Sequence, residues 1–192
     1  MTVSNVEIAN RALQKQGAKR ISALDQDAPN ARTMNAAFVR VRRALLRAYA
    51  WSFAIKRESI AADSTDAIDI GGGAWKRYSL PNDYLRLTRD DESGFHVDWK
   101  VEGQYVLSKT SSPLKIKYIA DIEDANFYDD LFIEAFAAKL AMETVKEITD
   151  STADKESLKD DFKTAIAEAK NVGFIEKEAV DIPEDPWLSA RR

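Results

Sequence analysis

Five arginines and no acidic side chain lie between Asn30 and Tyr49. A guanidinium does not give up its proton in proteins, so the chemistry it offers is recognition of carboxylate or phosphate rather than proton transfer. At about 100° per residue, Arg32, Arg40, Arg43 and Arg47 fall within about 80° of one another. Met34, Phe38, Val41, Leu45 and Ala48 fall on the opposite side. The segment therefore predicts an amphipathic helix with an arginine stripe outside and an apolar stripe inside. Two readings of the stripe stand open: a solvated surface face, or a subunit-interface or channel element that faces acid or nucleic acid.

Catalytic constellations are weak by comparison. His96 is the only histidine and sits in a strand-like alternation beside Phe95 and Val97, with no nucleophile elbow near it. Gly71-Gly72-Gly73-Ala74-Trp75-Lys76 lacks the spacing and the Ser/Thr of a phosphate loop. Asp121, Glu123, Asp124, Asp129 and Asp130 lack calcium-loop spacing and read as acids favoured at a helix N-terminus. No zinc-type spacing occurs, and the chain has no cysteine to act as nucleophile, thiolate ligand or disulfide partner. With 32 acids present, the sequence singles out no carboxylate pair for glycoside hydrolysis. No catalytic residue, metal site or cofactor is expected.

The elements that must carry these residues follow from patterning. The 192 residues are 45% hydrophobic and 31% charged, which suits one globular domain with a substantial core. No apolar run approaches the ~20 residues of a membrane span, and the N-terminus lacks a charged-then-apolar signal pattern, so use without secretion is expected. Charge is uneven: the formal balance is +7 over residues 1–60, −1 over 61–120 and −12 over 121–185. Such asymmetry favours contact between copies, basic part to acidic part, or an equivalent pairing within one chain.

Ser4 with Glu7 forms a capping-box pattern, and Gly17 is placed to end the first helix. Asp27 is placed to cap the second helix, with Pro29 in its first turn. From Trp51 the period changes to two, and Trp51, Phe53 and Ile55 read as the buried face of a strand. Short strands follow, with a turn at Pro81-Asn82-Asp83 and a hairpin at Glu102-Gly103-Gln104. Trp51, Trp75 and Trp99 are expected in the core. Leu131 to Met142 is apolar nearly all round and predicts a helix buried on most sides. A last helix opens at Ser151 and stops at Gly173.

The fold expected is therefore α+β and mainly α: a four-helix bundle-like core (helices about 4–16, 29–50, 126–149 and 152–171) with an antiparallel β region, about 51–120, inserted between helices 2 and 3. Residues 1–173 form one domain, and 174–192 an extended C-terminal tail. Trp187 in that polar tail reads as an anchor for a partner's pocket.

This order, with Trp51-Ser52-Phe53 just after the second helix and Leu80-Pro81-Asn82-Asp83-Tyr84-Leu85-Arg86-Leu87 before a hairpin, resembles the tail tubular protein A family. These are the head-to-tail adaptors, or connectors, of short-tailed bacteriophages. The resemblance covers essentially the whole chain and rests on two short motifs. It implies a virion tail protein made in the host cytoplasm, and a dodecameric ring, with the protein monomeric or assembled when free. The ring would lie between the portal protein and a tail nozzle of the tubular protein B type. It would seal the head and pass double-stranded DNA during ejection. It implies portal docking by the tail, for which Ile182, Pro183, Pro186, Trp187, Leu188, Arg191 and Arg192 are the candidates. The arginine stripe would then meet the acidic C-terminal helices of the same or an adjacent copy, since a dense arginine lining would hold sliding DNA too tightly. Two other classes stand beside this one: an envelope glycan hydrolase, which some related adaptors suggest, and a small DNA-binding module, which the pI near 5.2 argues against.

Overall fold

The computed structural model describes residues 3–63, 68–69, 73–88, 98–110, 112–150 and 153–175. His96, Gly71, Gly72, Ser151 and all seven tail candidates, Ile182 to Arg192, lie outside the described residues. Among the described residues run four helices: α1 (Asn5–Lys15), α2 (Pro29–Ala48), α3 (Asp130–Thr149) and α4 (Ala153–Ile175). Between α2 and α3 the described residues form seven strands: β1 (Ile55–Ile60), β2 (Ile68–Asp69), β3 (Ala74–Ser79), β4 (Tyr84–Thr88), β5 (Trp99–Glu102), β6 (Tyr105–Ser108) and β7 (Leu114–Ala120). The fold is α+β and mainly helical, as patterning predicts.

Local signals explain α1. The Ser4 hydroxyl accepts the Glu7 N–H at 3.2 Å. At the other end Ala18 N–H bonds the Leu13 carbonyl and Gly17 N–H the Gln14 carbonyl, a Schellman closure with Gly17 at φ 68. The Gln16 amide then reaches α3, donating to the Ala141 carbonyl and to Thr144 Oγ1.

The start of α2 differs from expectation. Its N-cap is Ala28 with no side-chain cap bond, and Asp27 pairs with Arg32 instead. Pro29 at the first helical position has no N–H, so one of the donors a cap would serve is absent. The end of α4 differs as well. The helix passes through Gly173 to Ile175, and among described glycines only Gly17 and Gly103 have positive φ. Without the left-handed turn of a C′ glycine, nothing local stops it there.

Helix α3 packs on α1, α2 and α4. Phe132, Ile133, Ala135, Phe136, Ala137, Ala138, Leu140 and Ala141 are all buried, as an apolar surface nearly all round requires.

The strands form two antiparallel sheets, ordered β1-β7-β4 and β2-β3-β6-β5. Strand β7 is buried on both faces near its end. Tyr118 and Ala120 join an apolar cluster with Tyr78 and Val106 of the second sheet, while Ile119 joins the helical core. A bulge in β4 between Tyr84 and Arg86 does the same for that strand. Leu85 faces the helical core and Leu87 the other cluster, which strict alternation forbids and one extra residue permits.

Two strand-region expectations are corrected. Trp51-Ser52-Phe53 is not strand: Ser52–Ala54 is a 3₁₀ turn, and β1 begins at Ile55. Trp99 is not core: every residue of edge strand β5 is exposed, Trp99 at 36%. Trp51 and Trp75 are buried as expected.

Candidate interaction site

The residues that join the helical layer to the β layer are charged and aromatic. Helix α2 brings Arg42 and Arg43 against Asp121, the residue after β7. Arg42 Nε lies 3.1 Å from Asp121 Oδ1, and Arg42 Nη2 lies 3.1 Å from Asp121 Oδ2. This is a bidentate fork on carboxylate. The two side chains are 5% and 6% exposed, so the pair is buried. Arg43 Nη1 adds a third bond to Asp121 Oδ2 at 2.9 Å, and Glu123 reaches Arg42 Nη2 at 3.3 Å from the exposed side. The Asp121 backbone N–H bonds the Asp83 carbonyl at 2.7 Å, which anchors the carboxylate to the second motif segment.

The stripe residues go to separate partners. Arg32 is exposed and pairs locally with Asp27. Arg40, 66% exposed, pairs with Glu143 of α3, which Lys139 also contacts. Arg47 donates to the Leu85 carbonyl of β4. Each of the four candidates therefore has a partner within the same chain, and the four partners lie in four different places: before α2, on α3, after β7 and on β4. Of the acids read as helix-terminal, Asp129 and Asp124 are such caps. Asp121 and Glu123 are not; the buried guanidinium of Arg42 recruits them.

Aromatic rings flank the clasp. The Trp51 indole donates to the Leu45 carbonyl at 3.1 Å, in the last turn of α2. Its ring meets Phe132 edge-on at 5.0 Å, and Phe53 meets Phe132 at 5.0 Å and Tyr128 at 5.7 Å. The Tyr128 hydroxyl donates to the Ile122 carbonyl. Burial, seconded by the charges of Asp121, Glu123 and Asp124 against the opposing field of Arg42, pushes this phenol up to about 12. It stays a neutral donor at any physiological pH.

Asp83 forms a second polar corner. Lys56 Nζ lies 2.6 Å from Oδ2 and the Tyr118 hydroxyl 3.0 Å from Oδ1, with Glu58 3.3 Å from the same hydroxyl. Burial alone would raise the Asp83 carboxyl, but the bonds from Lys56 and Tyr118 outweigh it and hold the group below the usual carboxylate range. Burial and the two carboxylates push the Tyr118 phenol well above its ordinary value. The arrangement is suited to clamping β1, β4 and β7 together. Among the described residues no group of three or more His, Cys, Asp or Glu is placed to hold a metal ion.

Arg42, Asp121, Lys56 and Tyr118 are the residues that sequence reasoning missed. A signal existed for Arg42: on the helical wheel it falls between Phe38 and Leu46, inside the buried arc. Asp121 carried none, because its partner lies 79 positions away. No protein-family model and no characterised protein matches the chain.

Proposed function

We propose that the chain is a structural component of a virion, a head-to-tail adaptor that assembles as a ring between portal and tail nozzle and works without catalysis of its own. What carries the reading is the position of the two motif segments on which the resemblance rests. Trp51-Ser52-Phe53 supplies the rings and the indole donor at the end of α2. Leu80 to Leu87 supplies Asp83, Leu85 and the bulge. Both sit where the helical layer meets the sheets, so the segments that carry the resemblance also hold the two layers together. Exposed apolar side chains give further support. Phe127 and Val39, 66% and 50% exposed, suit contacts between different faces of neighbouring copies, as a ring requires. In this reading the exposed halves of Arg32 and Arg40 face a neighbour, and the segment from Ile182 to Arg192 docks on the portal.

Native mass spectrometry of the purified chain, alone and mixed with a portal protein, tests the proposal. A closed ring of twelve copies on the portal is expected. A chain that stays monomeric and never joins a portal overturns it.

A further inference from the structure

The geometry points to an oxyanion site, of the phosphate class, on the outer face of the second sheet at Trp75. Trp75 on β3 is 6% exposed, yet its indole Nε1 has no hydrogen-bond partner among the described residues. A buried N–H left without an acceptor is a standing cost that asks for an explanation. Two ammonium groups flank the same ring: Lys100 Nζ is 4.8 Å and Lys109 Nζ 5.1 Å from its centroid. Neither lysine forms an ion pair among the described residues. One ring thus holds two like charges with no anion paired to either among the described residues.

Gly73 leaves the space beside the indole. A Cβ built there would lie 3.1 Å from Trp75 Nε1, 3.0 Å from Lys109 Cε and 3.4 Å from Lys109 Nζ. The neutral donor and one ammonium therefore approach the same small volume, and any side chain at position 73 would fill it. An oxygen acceptor placed just outside Gly73 could satisfy both, with Lys100 neutralising a second oxygen. Two cations and a neutral donor match an oxyanion carrying close to two negative charges, as a phosphate monoester does near pH 7, better than a carboxylate. Both lysines are exposed and long, so their heads can swing from the ring to admit the ligand. On the same face, Arg77 lies 4.6 Å over the Tyr105 ring, its charge already paired with Asp63. The inference does not depend on the adaptor reading.

The test uses the full chain labelled with ¹⁵N and follows the four indole N–H resonances during titration with inorganic phosphate at constant ionic strength. Trp75→Phe identifies its own resonance by loss. The Trp75 resonance is expected to shift saturably, and Lys100→Gln or Lys109→Gln to weaken binding by about tenfold or more. These two exposed lysines keep the test available should Trp75→Phe not fold. Acetate and a short DNA duplex are run in parallel. A shift with free phosphate and none with the duplex assigns the site to the monoester class, and a saturable shift with the duplex, whose phosphodiesters carry one charge each, overturns the dianion assignment. No saturable indole shift, equal shifts with acetate, or full binding in both lysine variants overturns the proposal.

Discussion

Removal of Asp121 is the perturbation that most directly tests how the two layers are held. Its carboxylate accepts three charge-assisted bonds, two from Arg42 and one from Arg43. In Asp121→Ala the Arg42 guanidinium, 5% exposed, is left with only Glu123, whose own side chain is 79% exposed. A buried charge that loses its counterion costs about 3–5 kcal/mol. Glu123 retains part of the pairing, so the lower half of that range, about 3–4 kcal/mol, is expected. Arg43→Ala removes a partner that is 50% exposed and leaves the fork intact, so about 0–1 kcal/mol is expected. The double change Arg42→Met with Asp121→Leu removes both buried charges and is expected to be far milder than Asp121→Ala alone. Urea unfolding at 25 °C reads all three. With a slope of about 2 kcal/mol/M, the Asp121→Ala midpoint falls by roughly 1.5–2 M with the slope unchanged. A midpoint indistinguishable from that of Arg43→Ala would refute the reasoning, because the fork would then contribute no more than a surface pair.

Two further outcomes are expected. Trp51→Phe removes the donor to the Leu45 carbonyl while keeping an aromatic ring beside Phe132, and is expected to lower stability by about 1–3 kcal/mol. For a chain of this size that is a melting-temperature loss of about 2–4 °C per kcal/mol, readable by calorimetry. Asp83 has a depressed folded-state pKa, so it contributes stability that is present above its unfolded value of about 3.9 and is lost as pH falls through the folded value. The stability gap between the parent chain and Asp83→Asn is therefore widest near neutrality and narrows on the acid side of about pH 4. Urea midpoints across a pH series measure it, and a gap that widens in acid contradicts the assignment.

Features set by near neighbours in the chain were readable in the sequence. Ser4 with Glu7, Gly17, the hairpin at Gly103 and the apolar surface of Leu131 to Met142 depend on contacts within a few residues or on a helical period. The misreadings have one origin. Trp51, Ser52 and Phe53 alternate like a strand, but the bond from the Trp51 indole to the Leu45 carbonyl and the ring of Phe132 hold them in a turn. Trp99 also alternates correctly, yet β5 is an edge strand and nothing covers it among the described residues. The arginine stripe was visible, whereas the arginine that is buried, Arg42, became recognisable only once Asp121 was placed beside it. A helical period reports which side of α2 is apolar; it does not report which distant carboxylate the fold delivers to that side.

The bulge at Leu85 has a thermodynamic consequence. Strands β4 and β7 each place side chains in both the helical core and the inter-sheet cluster. Opening either cluster strips partners from strands the other also uses. The helices and sheets are thereby coupled into one cooperative unit, and a load applied at one end of the molecule is transmitted through β7 rather than absorbed by the independent melting of a subdomain.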